Sequence, residues 1–145
     1  MTNGIKVKKR NGRGTEVLQL EKMHKMVEMA CEGLAGVSAS QVEIQSGIQF
    51  YDGITTAEIQ EILIRSASDL IDLEHPNYQF VAARLLLFAL RKQLFGRYHE
   101  APILKDHVKK CIDVGVYDEE LLDLYDDEEY NKLQSFIDHE RDFLF

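Results

Sequence analysis

Ile5-Lys6-Val7-Lys8-Lys9-Arg10-Asn11-Gly12-Arg13-Gly14-Thr15-Glu16-Val17-Leu18 decides the architecture of the chain. Its first four residues alternate apolar and basic, the period of a half-buried strand. Asn11-Gly12 is a strong turn signal, Gly14 follows two residues on, and 15–18 returns as a second strand. The chain is therefore expected to open with a β-hairpin.

Beyond the hairpin the period becomes helical. Met23, Met26, Val27, Ala30, Cys31 and Leu34 mark one helix, closed by Gly33 and Gly36. Ser38 caps a second, in which Val42, Ile44 and Ile48 are apolar, and Gln49-Phe50-Tyr51-Asp52-Gly53 reads as an added edge strand. Thr55-Thr56-Ala57-Glu58 is a capping box opening a third helix striped by Ile59, Ile62, Leu63, Ala67, Leu70 and Ile71. Pro76 opens a fourth, very apolar helix that runs to Gly96. Residues 96–102 look like a boundary, and shorter helices are expected near 103–114, 118–124 and 127–137.

Composition narrows the function. The 145 residues are 45% hydrophobic and 29% charged, an ordinary globular balance. Seventeen basic against 25 acidic residues give a net charge of −8, which argues against a general nucleic-acid coat. Two cysteines are too few for a disulfide framework or a zinc ribbon. No apolar run is long enough to cross a membrane, and the first ten residues lack the apolar core of a signal peptide, so a cytoplasmic location is expected. Charge is uneven along the chain: residues 1–25 carry seven basic and two acidic side chains, whereas 113–145 carry twelve acidic and two basic ones. Such asymmetry suits two surfaces with different partners, although the acidic end reads most simply as solvated helix surface.

The basic end suits a compact anion. Lys22 falls in the first turn of helix one, where a cation opposes the helix dipole by some tenths of a kcal/mol but suits a residue that meets a bound phosphate. Lys9 and Arg10 end the first strand and reach the same region if the hairpin folds over the helices. Thr55 and Thr56 add another helix start with hydroxyls and backbone N–H groups. Solvated basic side chains, ordinary capping and, for Arg91 and Lys92, the dipole of the fourth helix account for the same residues. There is no GxxxxGK[ST] or GxGxxG motif. His107 and Cys111 share a helix face without a third ligand, and no stand-alone active site is evident.

Val7-Lys8-Lys9-Arg10-Asn11-Gly12, Leu20-Glu21-Lys22-Met23, Ala30-Cys31-Glu32-Gly33-Leu34, Ile48-Gln49-Phe50-Tyr51-Asp52-Gly53-Ile54-Thr55-Thr56 and Tyr78-Gln79-Phe80-Val81-Ala82-Ala83-Arg84 resemble the N-terminal ATP-cone of class I ribonucleotide reductase large (alpha) subunits. Asp106-His107-Val108, Gly115-Val116-Tyr117-Asp118 and Ile137-Asp138-His139-Glu140-Arg141-Asp142 resemble the first helices of the reductase body. The resemblance implies a mainly α fold. Residues 1–95 are a four-helix bundle capped by a small three-stranded sheet, and 96–145 are a short all-helical extension, the incomplete start of the body.

It also implies an allosteric, overall-activity segment that binds ATP or dATP as effector, with or without Mg2+, and has no metal or redox cofactor of its own. Lys9, Arg10, Lys22 and Lys92 are the implied phosphate contacts. Val7, Glu16, Met23 and Thr56 are the implied base and sugar contacts. The whole enzyme reduces ribonucleotides to deoxyribonucleotides for DNA synthesis, and its implied partners are the remainder of the large subunit and the radical-generating small (beta) subunit in an oligomer. The catalytic cysteines of the family lie downstream, in a ten-stranded barrel. The chain alone is therefore expected to be inactive, and its apolar Phe143-Leu144-Phe145 ending suits a truncated segment or one piece of a split subunit.

Two departures bear on regulation: Gln60 and Ala89 stand where some members have histidines, and the hairpin is one residue longer. They leave open the response to dATP, and with it a second reading in which a vestigial cone serves only assembly. A nucleotide-responsive transcription regulator would need a zinc ribbon that two isolated cysteines do not supply.

Overall fold

The computed structural model describes residues 4–9, 12 and 14–144. The chain is mainly helical with a two-stranded antiparallel sheet, and it divides into two compact units between Leu90 and Arg91. The first unit holds β1 (Lys6–Lys8), β2 (Thr15–Val17), α1 (Leu20–Cys31), α2 (Ala39–Gly47), α3 (Thr56–Asp69) and most of α4 (Tyr78–Phe95).

The strands pair with Lys6 opposite Val17, Val7 opposite Glu16 and Lys8 opposite Thr15. Gly12 (φ 66°) and Gly14 (φ 93°) take the positive-φ conformations that the turn requires and that side chains with a Cβ resist. The alternation read from sequence is realised: Val7 is 3% exposed while Lys6 and Lys8 face solvent. β1 is bonded on its other edge as well. The Lys8 N–H donates to Ile54 O at 2.9 Å and the Gly53 N–H to Lys6 O at 2.7 Å. The Lys6 N–H reaches the Asp52 carboxylate at 2.7 Å. Residues 49–53, expected as an edge strand, turn instead, and the contact falls on a single parallel bridge between Lys8 and Thr55.

Beneath the hairpin the helices bury the faces their periodicity implies. Met26, Val27 and Ala30 of α1, Ile59, Leu63 and Ala67 of α3, and Tyr78, Val81, Leu85 and Phe88 of α4 are all buried. Full burial of each large side chain is worth about 1.5–3 kcal/mol. In α2, which packs against α1 and α3, only Val42 among the apolar residues is buried. Ile44 and the following Ile48 are 65% and 82% exposed, so their apolar character does not report a core position. Arg84 closes α1: its Nη1 donates to Ala30 O at 3.2 Å and Glu32 O at 2.7 Å, setting a cation on carbonyls at the negative end of the helix. The Tyr78 hydroxyl accepts from the Ser38 N–H at 3.1 Å, beside the Ser38 cap of α2.

The second unit holds the end of α4, then α5 (Leu104–Asp113), α6 (Glu120–Leu124), α7 (Asp127–Ser135) and a 3₁₀ helix (His139–Leu144). α5 packs on α7, with Val108 and Tyr130 buried. Tyr130 donates its hydroxyl proton to Leu121 O at 2.6 Å, and Lys105 lies 5.7 Å from the Tyr130 ring while pairing with Asp127. Asp127, Glu128 and Glu129 fill the first turn of α7, where acid complements the dipole, and Asp126 caps it. Arg91 overturns its sequence reading as a dipole residue. It is buried, its Nη2 donates to His139 O at 3.2 Å and pairs with Asp142, and its guanidinium lies 5.2 Å from the centroid of the Phe143 ring.

Two outcomes follow. His24 bonds Glu43 of α2 through Nδ1 at 2.7 Å and Glu28 through Nε2 at 3.1 Å, and the Glu43 hydrogen bond raises its pKa above the usual 6.5. A raised folded pKa means that this link stabilises fully below the ordinary value and is lost as pH climbs through the raised one. NMR titration of the His24 ring should place its midpoint above 6.5, with Glu43→Gln bringing it down. Asp142→Ala strips a charged partner from the buried Arg91 and should destabilise the second unit by about 2 kcal/mol, read from amide exchange of residues 139–144.

Candidate functional site

The inner face of the hairpin selects among the basic residues. Val7 is buried, the antiparallel register sets Glu16 opposite it, and the two-residue alternation puts Lys9 on the same face. Lys9 Nζ lies 2.8 Å from Glu16 Oε2, a diagonal cross-strand pair with both side chains about 40% exposed (43% and 40%). Lys6 and Lys8 point the other way. Val7, Lys9 and Glu16 are thus brought together, while Arg10 lies outside the described residues.

β2 runs through Leu18 directly into α1, whose N-cap Gln19 makes no side-chain cap bond; α2, α3 and α7 are all capped. The first turn of α1 therefore lacks a side-chain cap, its Lys22 N–H donating to Gln19 O at 3.2 Å, and it carries the exposed Lys22. Met23 follows, half-buried, at the top of the stripe formed by Met26, Val27 and Ala30. Lys22 makes no ion pair among the described residues.

α3 begins beside β1, because Lys8 bridges to Thr55. The capping box is complete: Thr55 Oγ1 accepts from the Glu58 N–H at 3.1 Å, and Glu58 accepts from the Thr55 N–H at 2.8 Å and from its hydroxyl at 2.7 Å. The Tyr51 hydroxyl donates to Glu58 at 3.0 Å. These bonds, the Thr55 N–H foremost, hold the Glu58 carboxyl below the usual range. Thr56, the first residue of α3, is half-exposed next to this box. Lys92 lies beyond Leu90, in the last turn of α4. Gln60 is buried in α3, and Ala89 is half-buried in α4.

The remaining chemistry is sparse. An open groove of about 450 Å³ lies along the C-terminal half of α1, lined by Lys25, Glu28, Met29, Cys31, Glu32 and Ala39; its mixed charges converge on no one point. Burial pushes the Cys31 thiol up, the opposite of an activated nucleophile. His107 Nε2 is 3.5 Å from Cys111 Sγ, and no group of three or more metal-ligating side chains occurs among the described residues. No helix among the described residues is long and apolar enough to cross a membrane.

A profile of the ATP cone domain matches residues 5–93, which hold the hairpin, α1 to α3 and nearly all of α4. The chain belongs to the ATP-cone family. It is 48% identical over its whole length to the ribonucleoside-diphosphate reductase 1 subunit alpha of Escherichia coli K12. The corresponding figure is 49% for Salmonella typhimurium. Against the alpha subunit of Enterobacteria phage T4 it is 43% identical over 127 residues, 86% of this chain and 16% of that relative. The chain spans 19% of the two bacterial relatives, at their N-terminal end.

The joint between β1 and α3 is open to a direct test. Thr55→Ala deletes both hydroxyl contacts with Glu58 and should cost about 1 kcal/mol in urea unfolding. Because the folded Glu58 pKa is depressed, its contribution is present above the ordinary carboxylate range and lost as pH falls through the lowered value. Carboxyl NMR should show Glu58 returning toward its usual pKa in Thr55→Ala.

Proposed function

We propose that residues 1–95 bind ATP or dATP as an allosteric effector and that 96–145 are the start of the body of a ribonucleoside-diphosphate reductase large subunit, whose activity the effector controls. In this reading the Gly53–Thr55 segment is the third strand of a cover over a bundle of α1 to α4. Lys9, Arg10, Lys22 and Lys92 bind the phosphates, and Val7, Glu16, Met23 and Thr56 the base and sugar. The partners are the remainder of the large subunit and the small beta subunit, in a cytoplasmic oligomer.

The observation that supports this most is the placing of Lys9 on the covered face of the hairpin, on the strand pair that runs into a helix start lacking a side-chain cap. A triphosphate fits such a donor set. Ammonium groups neutralise its charge, backbone N–H groups of the first turn of α1 donate to its oxygens, and the helix dipole favours the anion. The half-buried Met23 and the buried Val7 supply apolar surface against which a purine can exclude water. Lys22, unfavourable to the helix by itself, becomes favourable once the anion is present.

Calorimetric titration of the 145-residue chain with ATP, then dATP, tests the reading. Saturable binding is expected, and Lys9→Ala with Lys22→Ala should weaken it by about a hundredfold, the loss of two charge-assisted hydrogen bonds. No heat from a folded chain overturns nucleotide binding and leaves the assembly reading.

A further inference from the structure

Arg91 is a buried cation that takes no part in nucleotide binding as proposed. Its side chain is only 6% exposed, and a charge so placed is tolerable only among partners that answer it. The 3₁₀ helix His139–Leu144 supplies three. His139 O accepts from Nη2 at 3.2 Å, the Asp142 carboxylate pairs with the guanidinium, and the Phe143 ring centroid lies 5.2 Å from its central carbon. Burial of Arg91 and docking of 139–144 are therefore one event, because release of the segment leaves a buried charge uncompensated. The next residue of α4 is Lys92, about 100° further round the helix. Both stand in the final turns before Gly96 (φ 76°), whose N–H donates to Lys92 O at 3.0 Å. Arg91, Lys92 and 139–144 all belong to the second unit, whereas most of α4 belongs to the first.

We infer that Arg91 is a positioning residue that ties effector occupancy to the docking of residues 139–144: its clasp fixes the end of α4, and that end presents Lys92. The inference rests on the nucleotide reading above and deepens it by naming the segment that responds. Phe95, one turn on, sets its ring edge-on to His107 of α5 at 5.4 Å between centroids, a second hold on the same end. With the clasp open one of these two holds is gone, and the end of α4 frays more readily. A phosphate arriving at Lys92 must then order the turn before it is bound. With the clasp closed that ordering is already done, so the closed form binds the effector more tightly. Linkage makes the effect reciprocal. The factor by which docking tightens binding is the factor by which bound effector holds the segment closed.

The test joins calorimetry to amide hydrogen exchange of the full chain, with and without saturating ATP. The variants are Asp142→Asn, Asp142→Asn/Phe143→Ala and Lys92→Ala, and amide NMR spectra of α1 to α3 establish that the first unit stays folded. In the wild type ATP is expected to slow exchange at 140–144 by about tenfold while the amides of α7 do not change. Asp142→Asn speeds exchange at 140–144 without ATP. The double variant, with the clasp open, binds ATP more weakly by the factor that ATP gives in protection. Lys92→Ala, saturated with more ATP, shows no protection at 140–144. The inference is overturned by ATP that binds without slowing exchange there, by protection spread equally over α7, by protection retained in Lys92→Ala, or by wild-type affinity in the double variant. Each of these leaves the nucleotide reading standing. No heat from a folded wild-type chain overturns both.

Discussion

Two backbone hydrogen bonds on the outer edge of β1, Lys8 N–H to Ile54 O and Gly53 N–H to Lys6 O, fasten the hairpin to the start of α3. The candidate site depends on them. A ribbon of two three-residue strands is marginal by itself, and it acquires a fixed face only when its other edge and one side chain are anchored. Val7 supplies the side-chain anchor, and the Lys8–Thr55 bridge supplies the edge. Once the face is fixed, the register decides that Lys9 and Glu16 point inward with Val7 while Lys6 and Lys8 point out.

Sequence carried the local parts of this structure well. Alternation and Asn11-Gly12 announced the hairpin, Ser38 and Thr55 announced two helix starts, and Glu58 took its place in the capping box. Each of these signals acts within a few residues, where backbone sterics and short hydrogen bonds decide. What escaped was non-local. Arg91 read as a dipole residue because its partner Asp142 lies 51 residues away. The apolar Ile44 and Ile48 are exposed, because hydropathy does not say which side of a short helix meets its neighbours. The Lys9–Glu16 pair was hidden because a diagonal contact depends on the register, which the turn sets and composition does not reveal. Of the candidate residues, Lys9, Arg10 and Lys22 had a physical rationale in the sequence itself, whereas Val7, Glu16, Met23, Thr56 and Lys92 were carried by family resemblance.

The uneven charge acquires separate explanations at the two ends. Near the C-terminus, acid is spent on helix starts: Asp126 and Glu129 cap α7, Asp127 pairs with Lys105, and Asp142 answers Arg91. These are structural uses of acid within the second unit. Near the N-terminus the opposite holds, since Lys22 sits where a helix disfavours a cation and Lys6 and Lys8 find no ion-pair partner among the described residues.

The slender attachment of the hairpin also shapes how the first unit breathes. Among the described residues Val7 is the one fully buried apolar side chain the hairpin contributes, and a handful of backbone bonds complete the joint. The helices beneath share a much larger core of their own. Elements with few buried contacts open at free energies far below that of global unfolding. The hairpin is such an element: it can detach as a piece while α1, α2 and α3 stay packed. Whatever binds on its inner face then acts as a fastener, adding to those few bonds a stabilisation that grows with its concentration.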